Sequence, residues 1–262
     1  MPAAALSPWD NVAARILAAR RAGQGFPDLG AEAPGDIAAG YAAQRALAEA
    51  MGAVPPPAFK IGATTAAMRA YLGLEHPCGG FCPAAGLRER SGGFRLSDHI
   101  RPGVECEIGV RLGRDIAAGP HDRDSAAAAV EHVFAAIEVV DNRYGDFRAT
   151  GAPSLIADQV FHAGGVIGAP ASGWPGLDLP GARGRLLVDG VERGEGLGAE
   201  LLGHPLDALA WLAASPLAEA FGGLRAGQVV FLGSVTPPFW LEGPCDVVVS
   251  FDLLGEVSAR FA

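Results

Sequence analysis

Two glutamates lie two residues apart in the otherwise apolar stretch VECEIGVRL. In a β-strand, successive side chains point to opposite faces, so Glu105 and Glu107 would share one face and Val104 and Cys106 the other. Taken alone, this alternation is typical of the solvent-facing side of a half-buried antiparallel strand. The other interpretation is that the paired carboxylates belong to a functional site.

A third glutamate, Glu138, interrupts the apolar run AAIEVVD further along the chain. A carboxylate that is buried without a partner is costly or takes up a proton, so this side chain needs a cation. Together with Glu105 and Glu107 it could supply three oxygen ligands to one hard divalent ion, with positions left for water and a bidentate oxygen ligand. The alternative is a structural ion pair between Glu138 and Arg143 or another arginine. Spacing alone leaves both interpretations open.

Motifs for several other chemistries are missing from the sequence. It contains no G-x-S-x-G stretch, and its six histidines form no H-x-x-x-H or H-E-x-x-H pair. Cys78 and Cys82 have no second cysteine pair downstream that would complete a zinc knuckle. We therefore expect neither a serine hydrolase nor a zinc peptidase. The four cysteines are interpreted as reduced, mostly buried thiols.

The composition is that of an acidic globular protein. Of the 262 residues, 50% are hydrophobic, and 20 basic residues against 29 acidic ones give a formal charge of −9. This charge argues against nucleic acid or an anionic membrane as a partner. The sequence shows neither a signal-like amino terminus nor a window as long as a membrane span, so we expect a cytoplasmic protein.

The elements that must position the carboxylates fall into two parts. Residues 8–23 and 35–52 have apolar side chains at helical spacing and end at glycines, so both are predicted to be helices. A third helix is predicted to begin at Thr64 or Thr65. These elements indicate a small, mainly helical amino-terminal region over residues 1–78.

Residues 79–262 are predicted to form a catalytic mixed-β domain with peripheral helices, because short apolar runs alternate there with glycine and proline. The Asp189–Gly190 pair predicts a hairpin turn. Helices are expected over residues 124–136 and 205–214. No regular series of alternating strands and helices occurs, which disfavours a doubly wound sheet.

An ordered set of segments resembles the hydratase/decarboxylase branch of the fumarylacetoacetate hydrolase superfamily, the 2-oxopent-4-enoate hydratases and 4-oxalocrotonate decarboxylases of aromatic meta-cleavage pathways. The segments are KIGATT, VECEIGVRL, AAIEVVDNR, LIADQ, LGHPLDALAWLA and LRAGQVVFLGSVTPP. The resemblance implies an α+β fold with a rolled mixed β-sheet and peripheral helices. It also implies oligomerisation, as a homo-oligomer or as a complex with a paralogous pathway enzyme.

The same resemblance implies the roles of individual residues. Mg²⁺ or Mn²⁺ would be held by the residues that match the family's ligands, Glu105, Glu107 and Glu138. The matching lysine, Lys60, would line the substrate pocket as the catalytic cation. Further substrate contacts are expected from Ser234, Thr236 and Asp158.

These roles predict a lyase that acts on a small anionic 2-oxo or 2-hydroxy-dienoic acid, with hydration ahead of decarboxylation. The substrate's 1-carboxylate and 2-oxygen could occupy the open metal positions while Lys60 offsets the negative charge of the glutamates. Hydrolysis of a C–C bond in an acylpyruvate-like substrate and a non-catalytic partner of an active paralogue are the alternatives.

Two positions depart from the family pattern and bear on hydration. Cys78 stands where the hydratases usually carry an aspartate that is thought to serve in acid–base chemistry. Gln159, Val160 and Phe161 follow Asp158 where an asparagine and a nearby serine are usual. From this we expect a more apolar pocket wall at Phe161.

Overall fold

The computed structural model describes residues 7–262, which form two β-sheets with helices packed around them. The helices are α1 (Asp10–Arg21), α2 (Ile37–Ala50), α3 (Ala66–Leu72), α4 (Arg123–Ala127), α5 (Phe147–Thr150), α6 (Ala152–Ala157), α7 (Pro205–Ala214) and α8 (Pro216–Phe221). The strands are β1 (Ala58–Gly62), β2 (Cys78–Cys82), β3 (Leu87–Glu89), β4 (Ser91–Phe94), β5 (Pro102–Leu112), β6 (Val130–Asp141), β7 (His162–Ile167), β8 (Arg183–Val188), β9 (Val191–Leu197), β10 (Val229–Ser234), β11 (Phe239–Trp240), β12 (Cys245–Phe251) and β13 (Gly255–Phe261). The predicted α+β class is confirmed.

The larger sheet carries all three glutamates. Its strand order is β2-β1-β10-β5-β6-β7-β3, with β11 paired to β5, and it is mixed and curled, as the resemblance implied. Strand β5 runs antiparallel to both β6 and β10. In this register Glu105 lies opposite Glu138, and Glu107 lies opposite Ser234. The pairing of the central strands therefore brings carboxylates together that are far apart in the chain.

The smaller sheet has the order β4-β13-β12-β8-β9 and covers the apolar face of β5. Gly184 on β8 lies so close to Cys106 that a Cβ at this glycine would be only 3.0 Å from the cysteine sulfur. The predicted hairpin turn is confirmed between β8 and β9. Asp189 and Gly190 have φ values of 50° and 75°, the two positive angles that a type I′ turn requires.

Side-chain caps begin the helices near the site as the sequence indicates. The Asp36 carboxylate accepts a hydrogen bond from the Ala39 N–H at the start of α2, and the Thr65 hydroxyl accepts one from the Met68 N–H at the start of α3. These bonds satisfy amide groups that a helix leaves unpaired in its first turn. The predicted helix start at Thr65 is confirmed.

The predicted helix over residues 124–136 is wrong. Helix α4 ends at Ala127, and the chain enters the long strand β6 at Val130. Val130, Val133 and Phe134 have helical spacing, but β-branched and aromatic residues also suit a strand. Pairing with β5 and β7 decides the outcome, because it buries nearly every residue of this strand.

The amino-terminal part of the chain contributes to the larger sheet as well as supplying helices. Helix α2 packs against α1 and α6, while β1 joins the sheet between β2 and β10. The division into residues 1–78 and 79–262 stays a prediction, and residues 1–6 lie outside the described part. Within residues 7–262 we find no helix with the length and apolar character needed to cross a bilayer.

Candidate metal centre

The three glutamates converge at the centre of the larger sheet. One carboxylate oxygen from each of Glu105, Glu107 and Glu138 lies within 4.8 Å of the others. Glu107 and Glu138 are fully buried, and Glu105 is half-buried. The solvent-facing interpretation of the glutamate pair is therefore wrong, because one of the pair has no contact with solvent.

Each fully buried carboxylate has one oxygen fixed by the protein and one without a donor. Glu107 Oε2 accepts the Gly233 N–H at 3.0 Å, while its Oε1 has no hydrogen-bond partner. Glu138 Oε1 lies 2.9 Å from His162 Nδ1 and 3.4 Å from Lys60 Nζ, while its Oε2 has no partner. Buried acceptors without donors are costly. Three carboxylates in this arrangement fit a hard divalent cation.

The pKa values of the cluster show that it needs positive charge. Burial, followed by the charge of Glu138, raises the pKa of Glu105 to about 8. Burial, followed by the charges of Glu138 and Glu105, also raises the pKa of Glu107 well above its ordinary value. Burial acts in the same direction on Glu138, but Lys60 and His162 outweigh it and lower the pKa of Glu138 to about 2. Without a bound cation, burial and mutual repulsion therefore favour a proton within the cluster.

Lys60 is the only lysine in the sequence and is buried next to these carboxylates. Its Nζ donates to the Val160 carbonyl at 2.6 Å and lies 3.4 Å from Glu138. Burial alone would lower the pKa of Lys60, but the charges of Glu138 and Glu105 raise it. The ammonium group therefore remains charged inside the protein.

The carbonyl that faces Lys60 belongs to an unusual backbone segment. Gln159, Val160 and Phe161 have φ values of 63°, 51° and 67°, so three successive residues other than glycine adopt the left-handed conformation. This conformation costs roughly 1–2 kcal/mol per residue and is especially unfavourable for a β-branched side chain. We call residues 159–161 the left-handed turn. Its surroundings must stabilise it.

Asp158, the residue before the left-handed turn, is held in place by three side chains. Its buried carboxylate accepts hydrogen bonds from Arg20 Nε at 3.1 Å, Arg143 Nε at 3.0 Å and Tyr144 Oη at 2.8 Å. Burial opposes ionisation, but the charges of Arg143 and Arg20 outweigh it and lower the pKa of Asp158. Arg143 thus pairs with Asp158 and not with Glu138. The structure does not bring Asp158 to the glutamates, and its role in substrate binding stays a prediction.

His162 is a functional candidate that sequence reasoning missed. It begins β7, its ring is buried, and the hydrogen bond between Nδ1 and Glu138 Oε1 fixes this carboxylate so that Oε2 is left without a donor. Since burial, above all, lowers the pKa of His162, the neutral ring with its proton on Nδ1 fits this contact. The only sequence signal is a polar residue at the start of the apolar run HAGGVI.

A cleft of about 680 Å³ leads to the cluster and is lined by Glu105, Ser234 and Thr236. The Ser234 hydroxyl donates to the Thr236 carbonyl at 2.7 Å, and Thr236 Oγ1 is buried without a partner. The structure thus brings both hydroxyl residues to the same cleft as Glu105. Phe161 packs against Tyr144 and Phe147 and does not line this cleft.

The metal-free protein is expected to lose stability as the pH rises from about 4.5 to about 8. An acid whose pKa is higher in the folded state than in the unfolded state binds more protons when folded, so the free energy of unfolding falls across that interval. Glu105 and Glu107 have this sign. Glu138, whose pKa is about 2, and His162, whose pKa burial lowers, have the opposite sign, but their contributions end where the unfolded state has lost those protons, at about pH 5.5 for the glutamate and about pH 7.5 for the histidine.

Thermal unfolding of the chelator-treated and Mn²⁺-loaded protein from about pH 5 to about pH 8 tests this prediction. A bound cation displaces the shared protons, so the Tm of the Mn²⁺-loaded protein should exceed that of the chelator-treated protein by more as the pH rises. Groups elsewhere affect both samples and cancel in that difference. A constant difference would contradict the assignment of the protons to this cluster.

Replacing His162 by leucine is expected to weaken Mn²⁺ binding by about 10- to 100-fold, the usual loss when the partner of a metal ligand is removed. The His162→Asn variant keeps an N–H donor near the position of Nδ1 and should retain most of the affinity. Electron paramagnetic resonance titration measures both variants, and circular dichroism checks their folding. Equal losses in the two variants would show that ring packing matters and that the N–H group does not.

The chain is similar to a known protein family and to two hydratases. Residues 88–262 match the family described as fumarylacetoacetate (FAA) hydrolase C-terminal. The 2-keto-4-pentenoate hydratase of Burkholderia vietnamiensis is 34% identical over 202 residues, which cover 77% of this chain and 76% of the relative. The 2-keto-4-pentenoate hydratase of Paraburkholderia phymatum is 30% identical over 256 residues, which cover 97% of each chain.

A solved structure shows the same fold over almost the whole chain. The 4-oxalocrotonate decarboxylase from Pseudomonas putida G7, complexed with magnesium and adipate, has a TM-score of 0.87 and 28% sequence identity. The similarity covers 98% of this chain and 99% of that chain. Hydratases and a decarboxylase are thus both similar to this chain along most of its length.

Proposed function

The chain belongs to the fumarylacetoacetate hydrolase family, and from this premise we propose that it is a divalent-metal-dependent lyase acting on a small anionic 2-oxo or 2-hydroxy-dienoic acid. The observation that carries the proposal is the pair of buried oxygens without donors, Glu107 Oε1 and Glu138 Oε2, which lie beside Glu105. An inactive partner would have no electrostatic reason to keep such a cluster. Glu105, Glu107 and Glu138 would hold the ion.

A divalent ion bound there would polarise the 2-oxo group of a substrate as a Lewis acid. Three carboxylates and one such ion leave a local charge of about −1, which would repel a substrate carboxylate. Lys60 offsets this charge, because its buried ammonium is held between Glu138 and the Val160 carbonyl. We propose that Lys60 Nζ attracts the substrate carboxylate or transfers a proton during enolate or dienolate formation.

We propose hydration of a 2-hydroxy-dienoate as the main reaction. The relatives that support it are hydratases, one of which is similar over 97% of both chains. Decarboxylation of a vinylogous β-keto acid is the second candidate, supported by the fold shared with 4-oxalocrotonate decarboxylase. The buried thiol of Cys78 bears on this choice, since burial raises its pKa to about 11 and leaves it a poor acid–base group at neutral pH.

The native ion is proposed to be Mg²⁺ or Mn²⁺, because three carboxylate ligands suit hard cations. The solved decarboxylase contains magnesium. Assembly as a homo-oligomer or with a paralogous enzyme and a role in aromatic catabolism stay predictions from the resemblance. A cytoplasmic location stays a prediction from the sequence.

A nuclear magnetic resonance time course tests the proposed reaction. The protein, with Mg²⁺ or with a chelator, is offered 2-hydroxypenta-2,4-dienoate and 2-oxohex-3-enedioate in separate samples. Metal-dependent formation of 4-hydroxy-2-oxopentanoate is the expected result. Loss of a carboxylate from the diacid without hydration would favour the decarboxylase, and inertness toward both acids would contradict the proposed substrate class.

A further inference from the structure

We propose that the cleft over the glutamates selects substrates whose end remote from the 2-oxo acid group is uncharged and apolar, and discriminates against those with a second carboxylate there. The proposal rests on the proposed function, because it places the 2-oxo acid group of the substrate at the glutamate cluster. It adds a specificity that the proposed reaction leaves open, since both monoacids and diacids could undergo it.

The walls of the cleft beyond the glutamates are mainly apolar. Helix α3 contributes Met68 and Tyr71 to one side, and the loop after β10 contributes Pro237 and Pro238 to the other. These side chains offer a substrate tail apolar surface but no hydrogen-bond donor except the Tyr71 hydroxyl. An aliphatic tail would be removed from water there, whereas a carboxylate would exchange its hydration for neutral donors, such as the hydroxyls of Thr64 and Thr65, and would gain no cation.

The charged residues that line the cleft are all acidic. Within residues 7–262, no lysine or arginine lines it, whereas Glu195 and Glu200 do so in addition to Glu105. A hydrogen bond from Arg185 and a second one from Arg183 lower the pKa of Glu195, which keeps this group ionised. Because Arg183 and Arg185 pair with Glu195, its charge is largely offset, and Glu200, which forms no ion pair within residues 7–262, is the main like charge that a second carboxylate would meet.

Cations near the cleft are engaged elsewhere. Arg69 donates to the carbonyls of Ala63 and Thr64, at 3.2 and 2.8 Å. The Arg148 guanidinium packs over the ring of Tyr71, with 4.7 Å between its Cζ and the ring centroid. Arg183 and Arg185 are held by Glu195, so Arg148 is the group that a diacid would most readily recruit, and its replacement distinguishes that possibility from the proposal.

The volume of the cleft also favours a tail. Clefts of several hundred Å³ accept ligands of drug size, and this one measures about 680 Å³. A five-carbon dienoic acid would fill only a small part of it. Each additional buried methylene group should raise kcat/KM by about fourfold, until the tail reaches the mouth of the cleft.

The test compares two substrates of the same shape. 2-Hydroxy-7-methylocta-2,4-dienoate ends in a CH(CH₃)₂ group where 2-hydroxyhepta-2,4-diene-1,7-dioate ends in a carboxylate. We expect kcat/KM of the Mg²⁺-loaded protein to be at least about 100-fold higher for the branched monoacid, since burial of an unpaired charge costs more than burial of an alkyl group stabilises. The Met68→Lys variant, which adds a cation to the wall, should reduce this ratio by about tenfold or more.

Comparable kcat/KM values for the two acids would overturn the proposal. So would efficient use of the diacid that disappears in Arg148→Ala, because a cation would then serve the remote end.

A binding measurement separates this inference from the proposed reaction. Displacement of water from Mn²⁺ in the loaded protein, followed by proton relaxation, reports the binding of 2-oxo-6-methylheptanoate and of 2-oxoadipate without any turnover. Tighter binding of the monoacid supports the cleft preference even if neither dienoate reacts, in which case only the proposed reaction is wrong. Equal or tighter binding of 2-oxoadipate overturns the preference, whatever the turnover.

Discussion

Replacing Glu107 by glutamine is expected to abolish Mn²⁺ binding and turnover while the protein remains folded. Glutamine preserves the shape of the side chain and can still accept the Gly233 N–H, but it lacks the charge that draws a divalent ion. Loss of the ion removes several kcal/mol of transition-state stabilisation, so kcat/KM should fall by at least about a thousandfold. The metal-free variant should be at least as stable as the metal-free parent, because a neutral amide replaces a buried carboxylate.

Isothermal titration calorimetry with Mn²⁺ measures the first effect, and the thermal unfolding of chelator-treated samples measures the second. Glu256→Gln is the matched control, since this glutamate lies exposed on β13, in the smaller sheet that carries none of the three candidate ligands. It should bind Mn²⁺ and turn over substrate like the parent. Unchanged Mn²⁺ affinity in Glu107→Gln would show that Glu107 is not a ligand of the ion.

Replacing Lys60 by methionine is expected to cause the second-largest loss. Methionine has a similar length without the charge, so the buried carboxylate of Glu138 loses its nearest cation. Removing one partner of a buried ion pair costs about 3–5 kcal/mol, and we expect the metal-free protein to be destabilised by about that amount. Turnover should fall by about a hundredfold or more even with saturating Mg²⁺, because the group that attracts the carboxylate or transfers a proton is absent.

A bound divalent ion would neutralise much of the charge that Lys60 leaves behind, so the Mg²⁺-loaded variant should regain most of its Tm without regaining activity. Arg114→Met is the control, because Arg114 is exposed beyond the end of β5 and takes part in none of the ion pairs of residues 7–262, so its replacement should leave both Tm and turnover unchanged. Full activity of the folded, loaded Lys60→Met variant would assign Lys60 a purely structural role.

The glutamate cluster could be predicted from the sequence because it depends on simple rules. Alternation in a strand places Glu105 and Glu107 on one face, and a lone glutamate in an apolar run requires a partner. Those two facts indicated the cluster, although spacing left a structural ion pair equally open. The register that sets Glu105 opposite Glu138 comes only from strand pairing.

His162 was not predicted because its position depends on an irregularity in the pairing of β6 with β7. The register between β6 and β7 shifts between Val139 and Val140, so His162 pairs with Val140 while Gly165 pairs with Glu138. A bulge of this kind redirects side chains and leaves no periodic signal in the sequence. The left-handed turn was equally hidden, since no glycine marks it and residues distant in the chain, such as Arg20, hold it in place.

The helix expected over residues 124–136 shows the opposite failure, in which a local pattern was present but tertiary structure outweighed it. Three apolar residues at helical spacing were too few to distinguish a helix from a strand that is buried on both faces.

The Arg20 and Arg143 contacts of Asp158 could not be predicted either, because the motif that marked this aspartate carries no information about which cations reach it.

A protein with a single lysine carries a single side-chain primary amine, and here that amine lies at the candidate active site. Reductive methylation with ¹³C-formaldehyde would therefore give one lysine methyl resonance that reports directly on this site. Since Lys60 is buried, the rate of its labelling would follow how often the surrounding structure opens. Amine-directed dyes and cross-linkers, used in short reactions, would not modify any other side chain. All other permanent positive charges on side chains belong to arginine, which these reagents do not attack.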